Sequence, residues 1–228
     1  MPQENAPARA AIVATRNEAD SISATLEALA VAMPGARLLV ADDASSDGTG
    51  EIAMQHGAVV VGRGRPHGKG GNVSAAAEAL LSEGFTGTVL LCDGDLAGSA
   101  RQLAALVEPV ERGDCDIAVA SFRRREGGGF GLAVGYARRK IAELSGFEAE
   151  APISGQRAMK AATLRRLLPF DQGWGMEMGM TVDAIRAGLE IKEIELALAH
   201  RATGRTFGGF VHRGRQLRDF RRVYRSRR

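Results

Sequence analysis

The apolar run from Thr88 to Cys92 stops abruptly at Asp93-Gly94-Asp95, and this ending most constrains what the chain can become. Residues i and i+2 of a strand point to the same face. Asp93 and Asp95 therefore aim together past the end of a buried strand. Two carboxylates in that position suit a hard divalent ion such as Mg²⁺ or Mn²⁺, which clamps phosphate oxygens and offsets the charge of a departing diphosphate. A plain Asp/Gly turn is the alternative.

The neighbouring segments repeat the pattern. Arg9 to Thr15, Arg37 to Ala41, Ala58 to Val61 and Asp116 to Ala120 read as further short strands. Between them, Ile22, Leu26, Leu29 and Ala30 recur at helical spacing, with Asp20 or Ser21 as cap and Pro34-Gly35 as stop. Further helices are expected over Thr49–His56, Asn72–Ser82, Ser99–Val110 with Ser99 as cap, and Leu132–Leu144. Strands alternating with helices predict an α/β fold, a central mostly parallel sheet with helices on both faces. Gly127-Gly128-Gly129 reads as a mobile loop. After Ala151 the pattern changes to short strands and one helix, within Ile153–Met159, Trp174–Ala187 and Leu189–Leu198.

The chain of 228 residues is long enough for a sizeable core. No apolar run approaches the roughly 20 residues that span a bilayer, and Met1 to Ala8 lacks the pattern of a secretory signal. Cys92 and Cys115 form neither a zinc motif nor a disulfide framework. A cytoplasmic protein is expected. The net charge of +3 hides an asymmetry: from residue 201 onward there are ten Arg and one Asp, a net +9, which leaves −6 on the first 200 residues. A basic tail on an acidic body predicts an anionic partner: a phosphorylated acceptor, the inner face of a membrane, or nucleic acid.

Two loops carry further chemistry. Asp42, Asp43 and Asp47 crowd the end of the second strand. They begin like an EF-hand loop, but its twelfth position is Met54 where Glu is required, which excludes that reading. A helix-capping turn and a carboxylate site for a nucleotide base or ribose both remain. Gly62 to Asn72 is rich in glycine and basic residues, yet Arg63 and Gly70 break the P-loop spacing. Lys69 there can still touch a diphosphate.

Taken in order, Asn17-Glu18, Asp42-Asp43-x₃-Asp47-Gly48-Thr49, Gly68-Lys69-Gly70 and Asp93-x-Asp95 form a set that resembles nucleotide-sugar glycosyltransferases of the GT-A fold, family 2 type. The resemblance is firm over residues 9 to 120. Ser154-Gly155-Gln156-Arg157-Ala158, Gly173-Trp174-Gly175-Met176-Glu177 and His200-Arg201-x₂-Gly204-Arg205 are similar to acceptor-side motifs of small bacterial relatives. Those are the glucosyl-3-phosphoglycerate synthase-like enzymes and the polyprenyl-phosphate glycosyltransferases. The family usually has Pro-x-Tyr-Asn-Glu after strand one, where this chain has Ala14-Thr15-Arg16-Asn17-Glu18.

The resemblance implies one GT-A domain over 1–228: a nucleotide-sugar half (9–120), an acceptor half (121–200) and a basic tail (201–228). It implies donor contacts from Thr15, Asn17, Glu18, Asp42, Asp43, Lys69, Asp93 and Gly94. Glu18 and Asp43 would bind the uridine or guanosine, and Asp93 the ribose or sugar. Asp95 and His200 would hold the Mg²⁺ or Mn²⁺, although His200 has a structural alternative. Ser154, Gly155, Gln156, Arg157 and Arg205 would meet the acceptor. Catalysis would rest on Asp95 and on Glu177, the latter as general base or as a holder of sugar hydroxyls. Capping of its helix is the other role open to Glu177.

The expected activity is metal-dependent transfer of a hexose, best from a UDP-sugar, to a polyprenyl phosphate or phosphoglycerate-like acceptor. A homodimer is among the assemblies this allows. A nucleotidyltransferase is the competing enzyme, but it would place a basic Gly-rich loop directly after strand one. A membrane- or nucleic-acid-binding module built on the tail is the non-enzyme alternative. In that tail, Phe210, Leu217 and Phe220 fall together on a helix with arginines elsewhere around it, the pattern of a helix lying on an anionic membrane. The −6 body argues against a broad DNA-binding face, so no nucleic acid is expected.

Overall fold

The computed structural model describes residues 8–62, 64–122, 131–198 and 207–228. Seven strands form one sheet: β1 (Arg9–Thr15), β2 (Arg37–Asp42), β3 (Val59–Gly62), β4 (Thr88–Asp93), β5 (Ile117–Phe122), β6 (Arg157–Lys160) and β7 (Ile191–Leu196). Their spatial order is β3-β2-β1-β4-β6-β5-β7. Every pairing is parallel except the two that β6 makes, with β4 and β5. The expected mostly parallel sheet is present, with one antiparallel strand set into its middle.

The eight α-helices among the described residues are α1 (Ile22–Ala32), α2 (Thr49–Gln55), α3 (Lys69–Ser82), α4 (Ala104–Arg112), α5 (Gly131–Ser145), α6 (Ala161–Leu167), α7 (Met176–Arg186) and α8 (Phe207–Arg227). The sheet is covered on both faces, and β1 shows why its strands read as unbroken apolar runs. Ala11 and Val13 join one core with Leu26 and Leu29 of α1 and Leu106 of α4. Ala10 and Ile12 join the opposite core with Val73 and Leu80 of α3 and Met176 of α7.

Three local expectations are corrected. α3 begins at Lys69, three residues before the expected start, because Gly68-Lys69-Gly70-Gly71 is its N-terminal turn and not a free loop. Ser99 is not the N-cap of α4, which is Leu103: it lies inside a 3₁₀ turn over Ala97–Leu103, and its hydroxyl donates back to the Leu96 carbonyl. The glycine run at 127–129 lies outside the described residues.

The largest difference concerns the tail. Its α8 is docked, with Phe220 and Val223 each 1% exposed in a third core beside Ala137 and Ile141 of α5 and Met178 and Val182 of α7. Of the apolar residues expected to meet a membrane, Phe220 faces protein instead and Leu217 is half-buried; the Phe210 side chain lies outside the description. The seat is lined by glycines. A Cβ on Gly173 would lie 2.4 Å from Asp219 Oδ2, one on Gly175 2.7 Å from Val223, and one on Gly179 3.0 Å from Arg227. Asp219, Val223 and Arg227 are four residues apart and form one row of the helix. Arg227 closes the dock with ion pairs to Asp171 and Asp183.

A helix docked through Phe220 contributes to global stability, whereas a loose terminus does not. Phe220→Ala is expected to lower the unfolding free energy by about 3–5 kcal/mol. Urea denaturation checks this; a midpoint unchanged from the parent chain would mean that α8 is not part of the folded unit.

Candidate active site

Parallel strands release their C-terminal ends at one edge of a sheet, where open α/β folds bind ligands. Thr15, Asp42 and Asp93 are the last residues of β1, β2 and β4. An antiparallel strand begins where its parallel neighbour ends. Leu91 of β4 pairs with Arg157 of β6, so Ser154, Gly155 and Gln156, which lead into β6, arrive beside Asp93. The reversal of this one strand brings the expected acceptor segment onto the donor rim.

The centre of the rim is Lys69. Its Nζ lies 2.5 Å from Asp93 Oδ1 and 2.8 Å from Glu177 Oε1. Gln156 Nε2 donates to the other oxygen of Asp93 at 2.8 Å, and Ser154 Oγ donates to Gln156 Oε1 at 3.2 Å. Glu177, in the first turn of α7, is 2% exposed, and among the described residues its Oε2 has no hydrogen-bond partner. Burial opposes the charge on Lys69, but Asp93 and Glu177 outweigh it and hold its pKa above the ordinary lysine value. The cluster admits no side chain at 155: a Cβ there would lie 2.3 Å from Lys69 Nζ and 3.1 Å from Asp93 Oδ2.

With this geometry in view, the likeness to known proteins is decisive. Residues 10–167 match the glycosyl transferase family 2. The chain belongs to that family. It is 31% identical over 218 residues to an undecaprenyl-phosphate mannosyltransferase of Micrococcus luteus, covering 88% of each chain. Its fold is similar to that of glucosyl-3-phosphoglycerate synthase of Mycobacterium tuberculosis solved with Mn²⁺, uridine diphosphate and glucosyl-3-phosphoglycerate: TM-score 0.80, 25% identity, 97% of this chain and 80% of that one. The same synthase with Mn²⁺, uridine-diphosphate-glucose and phosphoglyceric acid gives a TM-score of 0.78 at 25% identity, over 97% of this chain and 79% of that one. The family 2 membership and the match to GT-A structures bear out the expected glycosyltransferase fold and enzyme class.

Among the expected donor residues of this family 2 enzyme, Asp43 is 5% exposed. Its Oδ1 accepts from the backbone N–H of His67 (2.7 Å) and Gly68 (3.0 Å) and from Asn72 Nδ2, while Arg16 Nη1 lies 3.3 Å from Oδ2. Asp43 thus ties the Gly-rich segment to β2. Asp42 accepts from Thr15 Oγ1 (3.3 Å) and from both the N–H and hydroxyl of Ser45. Asn17 sits at φ +55°, takes the Ser46 N–H on its Oδ1 and donates its own N–H to Ser45 Oγ. Glu18 Oε2 accepts from Ser21 Oγ at 3.0 Å. All five expected donor residues near β1 and β2 therefore lie in one hydrogen-bonded loop pair.

Gly94 has a steric reason: a Cβ there would lie 2.6 Å from Thr15 Cγ2. Behind it, Thr25 Oγ1 donates to the Gly94 carbonyl at 2.9 Å and accepts from Ala97 N at 2.8 Å, which fixes the turn bearing Asp95. Lys69 and Gln156 engage both oxygens of Asp93, so the metal candidate of the pair is Asp95, whose Oδ1 is buried. A buried carboxylate oxygen at a strand end fits one ligand of Mg²⁺ or Mn²⁺. Among the described residues no set of three or more His, Cys, Asp or Glu gathers as a metal centre. The expected partner His200 and the expected acceptor residue Arg205 lie outside the described residues.

Arg157 is the correction on the acceptor side. It is fully buried; its Nε donates to the Ser154 carbonyl, Nη1 to Thr181 Oγ1 and Nη2 to the Glu177 carbonyl, at 2.9–3.0 Å. Burial pushes its pKa down to about 10, against the pull of Glu177 and Glu193, which leaves it charged at neutral pH. A sealed guanidinium braces the segment before β6 against α7 and presents nothing to an acceptor. The sequence reading missed Asn72, which no spacing rule singles out. It read Gly173 and Gly175 only as part of an acceptor-like motif and missed that they, with Gly179, seat α8; the signal was three glycines within seven residues around a helix start.

Removing the ammonium leaves two carboxylates facing one another. Lys69→Met is expected to cost about 3–5 kcal/mol of stability. The folded pKa of Lys69 is raised, so its contribution is complete below the ordinary lysine value near 10.4 and fades only as pH rises past it. Urea denaturation at pH 7 and pH 9 should give the same deficit. A deficit absent at pH 7 would contradict the buried ion triad.

Proposed function

We propose that this enzyme transfers a hexosyl group from a nucleoside-diphosphate sugar, best a UDP-sugar, to the phosphate of a polyprenyl phosphate. The observation that carries this reading is the Lys69–Asp93–Glu177 cluster at the rim where β4 delivers Asp95. Two carboxylates fixed by one ammonium make a preorganised set of acceptors for sugar hydroxyls. Lys69 Nζ already occupies Glu177 Oε1 at 2.8 Å, so Glu177 acts by holding the sugar. An acceptor phosphate oxygen is already anionic and needs no proton removed.

In this reading Thr15, Asn17, Glu18, Asp42 and Asp43 frame the nucleotide, with Glu18 and Asp43 nearest the base. Asp95, with His200, holds a Mg²⁺ or Mn²⁺ ion, which supplies positive charge against the departing diphosphate. Ser154, Gly155 and Gln156 set Asp93 against the sugar, and Arg205 meets the acceptor. The two halves and the docked α8 work as one catalytic unit over 1–228. The Micrococcus relative is named for a lipid-phosphate acceptor, and the Mycobacterium structures contain uridine nucleotides with Mn²⁺; both support the assignment. A lipid-phosphate acceptor places the work at a membrane surface, on its cytoplasmic side. Among the described residues no helix is long and apolar enough to cross a membrane, so the contact is peripheral. The phosphorylated small acceptor of the synthase structures is the second reading.

Calorimetric titration of UDP and GDP with Mn²⁺ or with EDTA tests the donor site. Binding is expected to require the metal and to fall at least tenfold in Asp95→Ala. Nucleotide binding indifferent to EDTA, or none with metal present, overturns the reading. Transfer is then followed with undecaprenyl phosphate and with phosphoglycerate as acceptors.

Gly155→Ala tests the cluster. The atoms its Cβ meets are the ends of the Lys69 and Asp93 side chains, which shift without parting, so the fold survives while the triad is displaced. The melting temperature should move by only a few degrees, and kcat/KM should drop at least tenfold, about 1.4 kcal/mol of transition-state stabilisation. Full activity in this variant would remove the cluster from the mechanism.

A further inference from the structure

The outer side of α8 has no role in the site described above. Arg218, Arg221, Arg222 and Arg225 stand at i, i+3, i+4 and i+7, a single stripe of the helix, and all four are exposed. The opposite side carries Gln216, Asp219, Phe220 and Val223, all buried. The ion pairs that α8 makes among the described residues run from Arg227 to Asp171 and Asp183, and from Arg218 to its neighbour Asp219. None of them takes up Arg221, Arg222 or Arg225. The one acidic residue of the helix is turned inward, so the outer stripe is basic throughout.

A second element extends the patch. A groove of about 490 Å³ separates α8 from α5, lined by Arg221, Arg225, Arg228 and Tyr224 on one side and by Lys140 and Tyr136 on the other. Lys140 lies 4.1 Å over the Tyr224 ring and 2.5 Å from Glu143 Oε2. The first 200 residues carry −6 while the chain from 201 on carries +9, so attraction to an anionic surface is concentrated here and weak elsewhere.

We propose that this stripe, with the α5–α8 groove beside it, is a docking surface for an anionic bilayer. The contact is at headgroup level, with lipid phosphates against the arginines. Phe220 and Val223 are committed to the protein core, so the helix does not insert around them. Binding is therefore electrostatic, and salt reverses it. One basic stripe on a body of net −6 offers a nucleic acid no broad basic face, whereas a bilayer needs only one patch to rest on it. The geometry also ties docking to the site. The inner side of α8 lies on Gly173–Gly179, which starts α7 and bears Glu177, so the docked surface sits about one helix diameter, roughly 10 Å, from that segment. The inference shares the membrane location of the proposed function but depends on neither donor nor acceptor.

The test is co-sedimentation of the full chain with vesicles of phosphatidylcholine alone or with 30% phosphatidylglycerol, containing no polyprenyl phosphate. Each basic residue close to an anionic surface contributes roughly a fivefold factor. The parent should bind the anionic vesicles at low salt, bind the neutral ones at least tenfold more weakly, and come off in about 0.5 M salt. R218Q/R221Q/R222Q/R225Q should lose at least tenfold, while R101Q/R112Q, elsewhere on the surface, should bind as the parent does. These side chains are exposed, and a thermal melt confirms folding; R221Q/R222Q serves if the quadruple variant is unstable, with a loss of at least threefold. Equal binding to neutral vesicles, binding that survives both stripe variants, or tighter capture of an oligonucleotide than of anionic vesicles overturns the proposal. Metal-dependent nucleotide binding is measured without lipid, so either idea can fail without the other.

Discussion

One ammonium group joins the parts of this enzyme. Lys69, at the first position of α3, reaches Asp93 at the end of β4 and Glu177 at the start of α7. A buried carboxylate and a half-buried one so close would repel one another; the shared ammonium offsets that repulsion. The same pairing fixes their positions to within a hydrogen bond, as the proposed sugar site requires. The glycine at 155 follows from it, because the cluster leaves no room for a Cβ. So does Arg157, which ties the backbone at Ser154 to that at Glu177 and keeps the far wall of the cluster in register.

The second constraint is the glycine-lined seat for α8. Gly173, Gly175 and Gly179 let one row of α8 press against the segment that presents Glu177. A strongly basic helix is thereby built into the folded body. Phe220 and Val223 supply core, Arg227 supplies a clamp, and Arg218, Arg221, Arg222 and Arg225 face outward. Charge and packing are separated by the helical repeat: the row at 219, 223 and 227 faces in, and the stripe at 218, 221, 222 and 225 faces out.

The family 2 motifs were legible because each is local. Asp93-x-Asp95 after a buried run, the Asp42-Asp43 loop and the Gly-Lys turn are short patterns at strand ends, and strand ends are set by nearby hydrophobic periodicity. Their partners were not legible. Lys69 reads as a phosphate contact in a free loop, since nothing near it in sequence shows that Asp93 and Glu177, the latter more than one hundred residues away, will converge on it. Arg157 reads as an acceptor contact because Ser154-Gly155-Gln156-Arg157-Ala158 resembles an acceptor-side motif, and that likeness says nothing of burial. Its burial depends on α7 closing over it. Ser99 reads as a cap from its residue type, but a 3₁₀ turn begins two residues earlier and its hydroxyl bonds backward.

By itself the sequence determined the strand-and-helix alternation, the sheet's two-sided burial, the position of the carboxylate-bearing strand ends and the basic tail, because all of these follow from residue type and spacing along a short stretch of chain. Only the tertiary structure decided that β6 runs backward between β4 and β5, that Lys69 is held between two carboxylates, and that α8 is docked with Arg218, Arg221, Arg222 and Arg225 outward. Those outcomes turn on contacts between residues far apart in sequence, where close packing and the cost of burying charge select one arrangement among many that local pattern allows.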